Sequence, residues 1–275
     1  MSWWAVELSP PPEGRDALAA WLVEQTGQAI EDRHDGPLVA FAPTDEARDE
    51  LATALRTEHP GLDPFVRELP TVDWSTAWRE GLGPRRFGRL VVSPSWIETE
   101  LDAGEVLVRL DPETAFGSGE HGSTRAALFL LERFLRPGDV AFDLGSGSGI
   151  LAIAARKLGA RLALGVEVDG DAVPVAERNA ERNEVPEVKF LVGDAAVLTP
   201  LLGPADVILS NILRLVNVAL LPEVHDALSP RGVAIFSGME DTERHLFLPA
   251  LAEHGYRVEA ERRDGGWWAV AANRA

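Results

Sequence analysis

Three glycines at alternating positions end an apolar run, Val140-Ala141-Phe142-Asp143-Leu144-Gly145-Ser146-Gly147-Ser148-Gly149, and a helical pattern opens at Ile150. A strand that passes through glycines into a helix lets a ligand approach the backbone closely, and the helix start offers unpaired N–H groups. The spacing discriminates between ligands. A dinucleotide loop needs its third glycine one residue later, where this chain has Ile150. Asp143, two residues ahead of Gly145, would repel a pyrophosphate and suits a cation such as an α-amino group or a sulfonium.

Two more acids follow at the ends of the next strand patterns. Glu167, twenty-two residues after Gly145 in Gly165-Val166-Glu167-Val168-Asp169, is placed to accept both hydrogen bonds of a ribose diol. Asp194, in Val192-Gly193-Asp194-Ala195, stands where an adenine amino group would be met. A cationic amino-acid end near Gly145 and Gly147, with a ribose at Glu167, describes S-adenosylmethionine rather than NAD. No G-x-S-x-G elbow is present, and the six histidines show no spacing suited to a metal, so we expect no metal.

These residues need a parallel sheet to bring them together. Strand patterns are predicted at 139–143, 162–168, 187–192, 205–210, 232–237, 255–261 and 267–272, with helical runs at 149–158, 171–183, 213–228 and 241–254. No element is assigned between the turn ending at Thr124 and residue 139. The turn at Arg262–Gly266 is too short for a crossover helix, so the last two strands form an antiparallel hairpin. Residues 1–70 read as β-α-β-β-α-β, a ferredoxin-like module with a tight turn at Asp35-Gly36 and a helix capped by Thr44. Residues 71–84 read as a linker helix bearing Trp74 and Trp78, and residues 85–275 as the binding domain. The fold class expected is α/β, a Rossmann-like seven-stranded sheet with a small N-terminal α+β domain.

Charge narrows the partners. Forty-four acidic residues against 26 basic ones give −18 over 275 residues, and residues 1–70 alone carry 14 acids and five bases. Nucleic-acid binders need the opposite sign, as do proteins that adhere to anionic lipid, so we expect direct contact with neither. A basic protein would be attracted. Cysteine is absent, no signal-peptide pattern opens the chain, and no apolar stretch reaches the roughly 18 residues of a membrane helix, so a cytoplasmic monomer is expected.

The loop Asp143–Gly149 with Gly165–Asp169 resembles the class I S-adenosylmethionine-dependent methyltransferases. The turn Asp111-Pro112-Glu113-Thr114-Ala115-Phe116-Gly117-Ser118-Gly119-Glu120-His121-Gly122-Ser123-Thr124 narrows this, because it is similar to that of the PrmA-type ribosomal protein methyltransferases, as are Pro94-Ser95-Trp96 and Ser210-Asn211-Ile212. The resemblance implies methylation of amino groups of large-subunit ribosomal protein eleven. It also implies cofactor contacts at Thr124, Gly145, Glu167 and Asn211, with Phe116 and His121 in a turn over the cofactor. Glu167 stands where Asp is usual, Gly122-Ser123 where Pro-Thr is usual, Ser118 for Thr, and Ser210 for Ala.

Amine methylation is an in-line displacement that needs alignment and exclusion of water more than an added nucleophile. Asn211, at the end of the fourth strand, is the expected catalytic residue: its side-chain oxygen would accept an N–H of the incoming amine. The residues alone leave open another protein or small-molecule amine as substrate, or a cofactor-binding protein without catalysis.

Overall fold

The computed structural model describes residues 3–28, 30–32, 36–69, 83–111 and 119–275. The expected linker helix up to Leu82, with Trp74 and Trp78, lies outside them, as do Asp35, Phe116, Gly117 and Ser118. Two compact units divide the chain, Met1–Glu80 and Gly81–Ala275.

In the first unit the elements are β1 (Trp3–Leu8), α1 (Arg15–Thr26), β2 (Glu31–Asp32), β3 (Leu38–Ala42), α2 (Asp45–Glu58) and β4 (Phe65–Leu69). The antiparallel sheet has the order β2-β3-β1-β4, the ferredoxin-like arrangement expected from the sequence. Alternation along β1 turns Val6 and Leu8 onto the helices, where they meet Leu18, Leu22, Leu51 and Leu55. Gly27 ends α1 at φ 62°, a conformation that favours glycine. Thr44 caps α2 by accepting the Ala47 N–H at 3.1 Å, and Asp45 and Glu46 complement the dipole of the first turn.

The second unit opens with β5 (Arg85–Phe87), β6 (Leu90–Ser93) and β7 (Val106–Arg109), a small sheet of its own, and then α3 (Gly122–Phe134). Next come β8 (Val140–Leu144), α4 (Ile150–Lys157), β9 (Leu162–Glu167), α5 (Val173–Arg182), β10 (Lys189–Val192), α6 (Ala195–Leu202) and β11 (Ala205–Asn211). The chain closes with α7 (Arg214–Ala219), α8 (Leu221–Ala227), β12 (Leu228–Glu240), α9 (Arg244–Glu253), β13 (Tyr256–Asp264) and β14 (Trp267–Arg274). The sheet order is β10-β9-β8-β11-β12-β14-β13. Strands β8 to β12 pair in parallel, and β14 enters antiparallel between β12 and β13. Every residue of β8 is buried, as a central strand covered by helices on both faces requires.

Three elements differ from the sequence reading. Helix α3 was not anticipated, although it is amphipathic: Ala126, Ala127, Leu128, Leu130 and Leu131 are buried, while Arg125, Phe129, Glu132 and Arg133 fall on the opposite side. Helix α6 shows no such pattern, its residues being apolar nearly throughout with Pro200 inside. The single helix expected at 213–228 is two, because Pro222 starts a second helix at Leu221.

Candidate functional site

A cavity of about 660 Å3 opens at the carboxyl ends of β8, β9, β10 and β11, where a doubly wound sheet reverses its strand order. Five of the expected residues wall it: Gly145, Gly147, Glu167, Asp194 and Asn211. Thr124 and Asp143 do not line it but stand behind residues that do. Phe116 lies outside the described residues.

The glycine loop binds to its own chain more than the sequence suggests. The Val166 carbonyl accepts the N–H groups of Gly145 and Ser146 at 2.8 and 3.1 Å, and the Ser146 carbonyl accepts that of Gly149. Glu167 Oε2 accepts the Gly147 N–H at 2.8 Å, while Oε1 accepts that of Asp169 at 3.0 Å. These four loop N–H groups are thus taken up within the chain, and at the helix start the Ala152 N–H is taken up by Asp143. The glycines supply shape instead. Gly145 has φ 72°, and a Cβ there would fall 2.5 Å from Ile212 Cγ2, so the loop lies directly against the residue after Asn211. Glu167 keeps acceptor capacity, since a carboxylate offers about four lone-pair sites and two are engaged.

Asp143 is placed differently from the reading that set it against a cationic ligand. Its side chain is buried beneath the loop, 1% exposed, and Oδ2 accepts the Ala152 N–H of α4 at 3.1 Å. Burial pushes its carboxyl up to about 7; the Ala152 bond opposes this and the Glu167 charge adds to it. Its Oδ1 has no partner among the described residues, nor has the buried Ser146 hydroxyl. Asp143 thus holds the start of α4 from below. Asp194 caps α6 through the Ala196 N–H at 2.8 Å while also facing the cavity.

At the other end Asn211 donates from Nδ2 to Thr124 Oγ1 at 3.2 Å, which leaves Oδ1 buried with no hydrogen-bond partner among the described residues. An orphaned buried carbonyl is costly, on the order of 1–3 kcal/mol, unless a ligand supplies the donor. Around it the walls are apolar: Ile212, Leu213, Val216 and Leu220.

Trp267, at the start of β14, also lines the cavity, and its ring lies 4.2 Å from that of His121. The sequence reading passed over it, because nothing local marks one aromatic residue of a hairpin as facing a site 120 residues earlier. His121 Nδ1 meets Ser123 Oγ at 2.7 Å, and burial and the Arg125 charge lower its affinity for a proton. It does not line the cavity; it anchors the start of α3. Among the described residues no group of three or more His, Cys, Asp or Glu is arranged to hold a metal ion.

The sheet order and a cavity spanning the ends of β8, β9 and β11 define a Rossmann-like protein of the methyltransferase type. The chain belongs to the ribosomal protein L11 methyltransferase (PrmA) family, whose profile matches residues 16–275. It is 35% identical to the ribosomal protein L11 methyltransferase of Pelotomaculum thermopropionicum, with 99% of each chain covered. It is 41% identical to that of Thermus thermophilus across 75% of this chain and 80% of the relative. The crystal structure of a ribosomal protein L11 methylase from Lactobacillus delbrueckii subsp. bulgaricus superposes with a TM-score of 0.63 at 30% identity, covering 70% of this chain and 98% of that one.

Proposed function

We propose that this protein transfers methyl groups from S-adenosylmethionine to amino groups of large-subunit ribosomal protein eleven, on lysine side chains or the N-terminus. The observation that carries the reading is the buried, unpartnered Oδ1 of Asn211 in the wall of a cavity whose other end is a glycine loop with Glu167. When bound, the cofactor supplies a sulfonium methyl, the C–N bond forming as the C–S bond breaks and its electron pair leaves on sulfur.

The donor set fits that group. Glu167 has acceptor sites left for ribose hydroxyls, and Asp194 has a second carboxylate oxygen beyond the one that caps α6. The close-lying backbone at Gly145 and Gly147 leaves room for the amino-acid end. Asn211 Oδ1 would accept an N–H of the amine, orient its lone pair, and stabilise the positive charge that grows on nitrogen. A lysine amine has a pKa of about 10.4, and the apolar walls at Ile212, Leu213 and Val216 favour its neutral, nucleophilic form. No general base is assigned.

Residues 1–70 serve in this reading as a recognition module, with 14 acidic residues against five basic ones to attract a basic protein. The enzyme works as a cytoplasmic monomer, on protein rather than on RNA or membrane; among the described residues no helix is long and apolar enough to cross a membrane.

Incubation with labelled methyl donor and ribosomal protein fractions, followed by mass spectrometry, tests the proposal. Label should appear on amines of ribosomal protein eleven. Label confined to another protein or to small amines would overturn it. Deleting residues 1–70 should abolish protein methylation and spare cofactor binding, whereas retained turnover would remove the recognition role.

A further inference from the structure

Asn217 sits in α7, wholly buried, and is not part of the cavity wall. Its amide touches the chain on both sides of Asn211. Oδ1 accepts the hydroxyl of Ser210 at 2.6 Å, and Nδ2 donates to the Ile212 carbonyl at 3.0 Å. The same Nδ2 also donates to the Ser237 carbonyl on β12 at 2.8 Å. Ser237 in turn donates its hydroxyl to the Ser123 carbonyl at 2.9 Å, and the next residue, Thr124, accepts from Asn211. The bonds form a closed circuit from Asn217 to Ser237, through Ser123 and Thr124 to Asn211, and back through Ser210 and Ile212.

We propose that Asn217 is a positioning residue for methyl transfer, holding both neighbours of Asn211, Ser210 by its hydroxyl and Ile212 by its carbonyl, so that the free oxygen of Asn211 meets the incoming amine. This inference rests on the role assigned above to Asn211. A backbone held at only one flank can rotate a terminal strand residue, and an error near 1 Å in a reacting geometry costs about 100-fold in rate. Both amide functions of Asn217 are engaged, so no isosteric residue substitutes: a carboxylate would face the Ile212 and Ser237 carbonyls, and leucine would strip three partners. The Ser210 hydroxyl closes the circuit on the strand side, and alanine there would offer no such donor.

The test is a double-mutant cycle read in single-turnover rate, with cofactor affinity measured by isothermal titration. Asn217→Ala should lower the methylation rate of ribosomal protein eleven about 10- to 100-fold and leave cofactor affinity within about 3-fold. In the Asn211→Ala background the same substitution should cost almost nothing further, because there is no oxygen left to aim. A full, additive loss in that background, or an unchanged rate in the single variant, would overturn the proposal. Should Asn217→Ala fail to fold, Ser210→Ala carries the test: it should lower the rate about 2- to 5-fold in the wild-type background and leave the Asn211→Ala rate unchanged. An Asn211→Ala variant with wild-type rate would instead overturn the role given to Asn211 itself.

Discussion

Among the described residues that line the cavity, the charged ones, Glu167 and Asp194, stand at one end and the other end is neutral. Around the glycine loop stand Glu167, Asp194 and, beneath it, Asp143, with backbone N–H groups as their partners. Around Asn211 the polar side chains are neutral, Thr124, Ser210, Asn217 and Ser237; they bond to Asn211 Nδ2, to one another and to nearby carbonyls, and leave Asn211 Oδ1 without a partner among the described residues. A carboxylate suits hydroxyls and a cation; beside an attacking amine it would hold the proton on nitrogen and disable it. In the proposed function, that separation would let one cavity bind a positively charged donor while keeping an acceptor amine neutral.

The sharpest way to break that comparison is to put charge where there is none. Asn211→Asp should cut the methylation rate at pH 7 by about 100-fold or more. Because the new carboxylate raises the amine's pKa, the rate should recover as pH rises, which a pH–rate profile would show. Next in size, Glu167→Ala removes the partner of two N–H groups and the candidate ribose acceptor. Cofactor affinity should fall about 10- to 100-fold by isothermal titration, with the single-turnover rate at saturating cofactor nearly kept. Thr124→Val, which frees Asn211 Nδ2 without adding bulk, should lower the rate about 10-fold and leave cofactor affinity unchanged.

Asp143, beneath the glycine loop, acts on stability rather than on rate. Its carboxyl sits at about 7 in the folded chain against an ordinary 3.8, so between these values the folded state holds a proton the unfolded chain has lost. Stability from this group is therefore present at low pH, falls as pH rises through that window, and stays lost above it. Asp143→Asn keeps an acceptor for the Ala152 N–H and should flatten this decline, by an amount on the order of a few kcal/mol, in urea unfolding compared at pH 5 and pH 8.

The two ends also differ in how far the sequence reveals them. The glycine loop, Glu167 and Asp194 follow one another along successive strands, so local pattern and strand order suffice to bring them together. Even there, a pattern of glycines does not tell which N–H groups are already taken; that depends on Val166 and Glu167 meeting the loop across a strand pair. Asn211 reached the site through resemblance and its place at a strand end. Its supports are scattered from Ser123 to Ser237 and read singly as ordinary helix or strand residues. Trp267 is hidden in the same way, because β14 inserts between β12 and β13, and hairpin turn length does not encode where a hairpin docks.

In the proposed function Asn211 contributes more to the reaction of the amine than to holding the donor. Single-turnover methylation of ribosomal protein eleven by the Asn211→Ala variant, with cofactor affinity titrated on the same preparation, addresses it directly. The account predicts a rate lower by about 100-fold or more with cofactor affinity within about 3-fold of wild type. A variant that binds cofactor poorly yet turns over at the wild-type rate once saturated would contradict it.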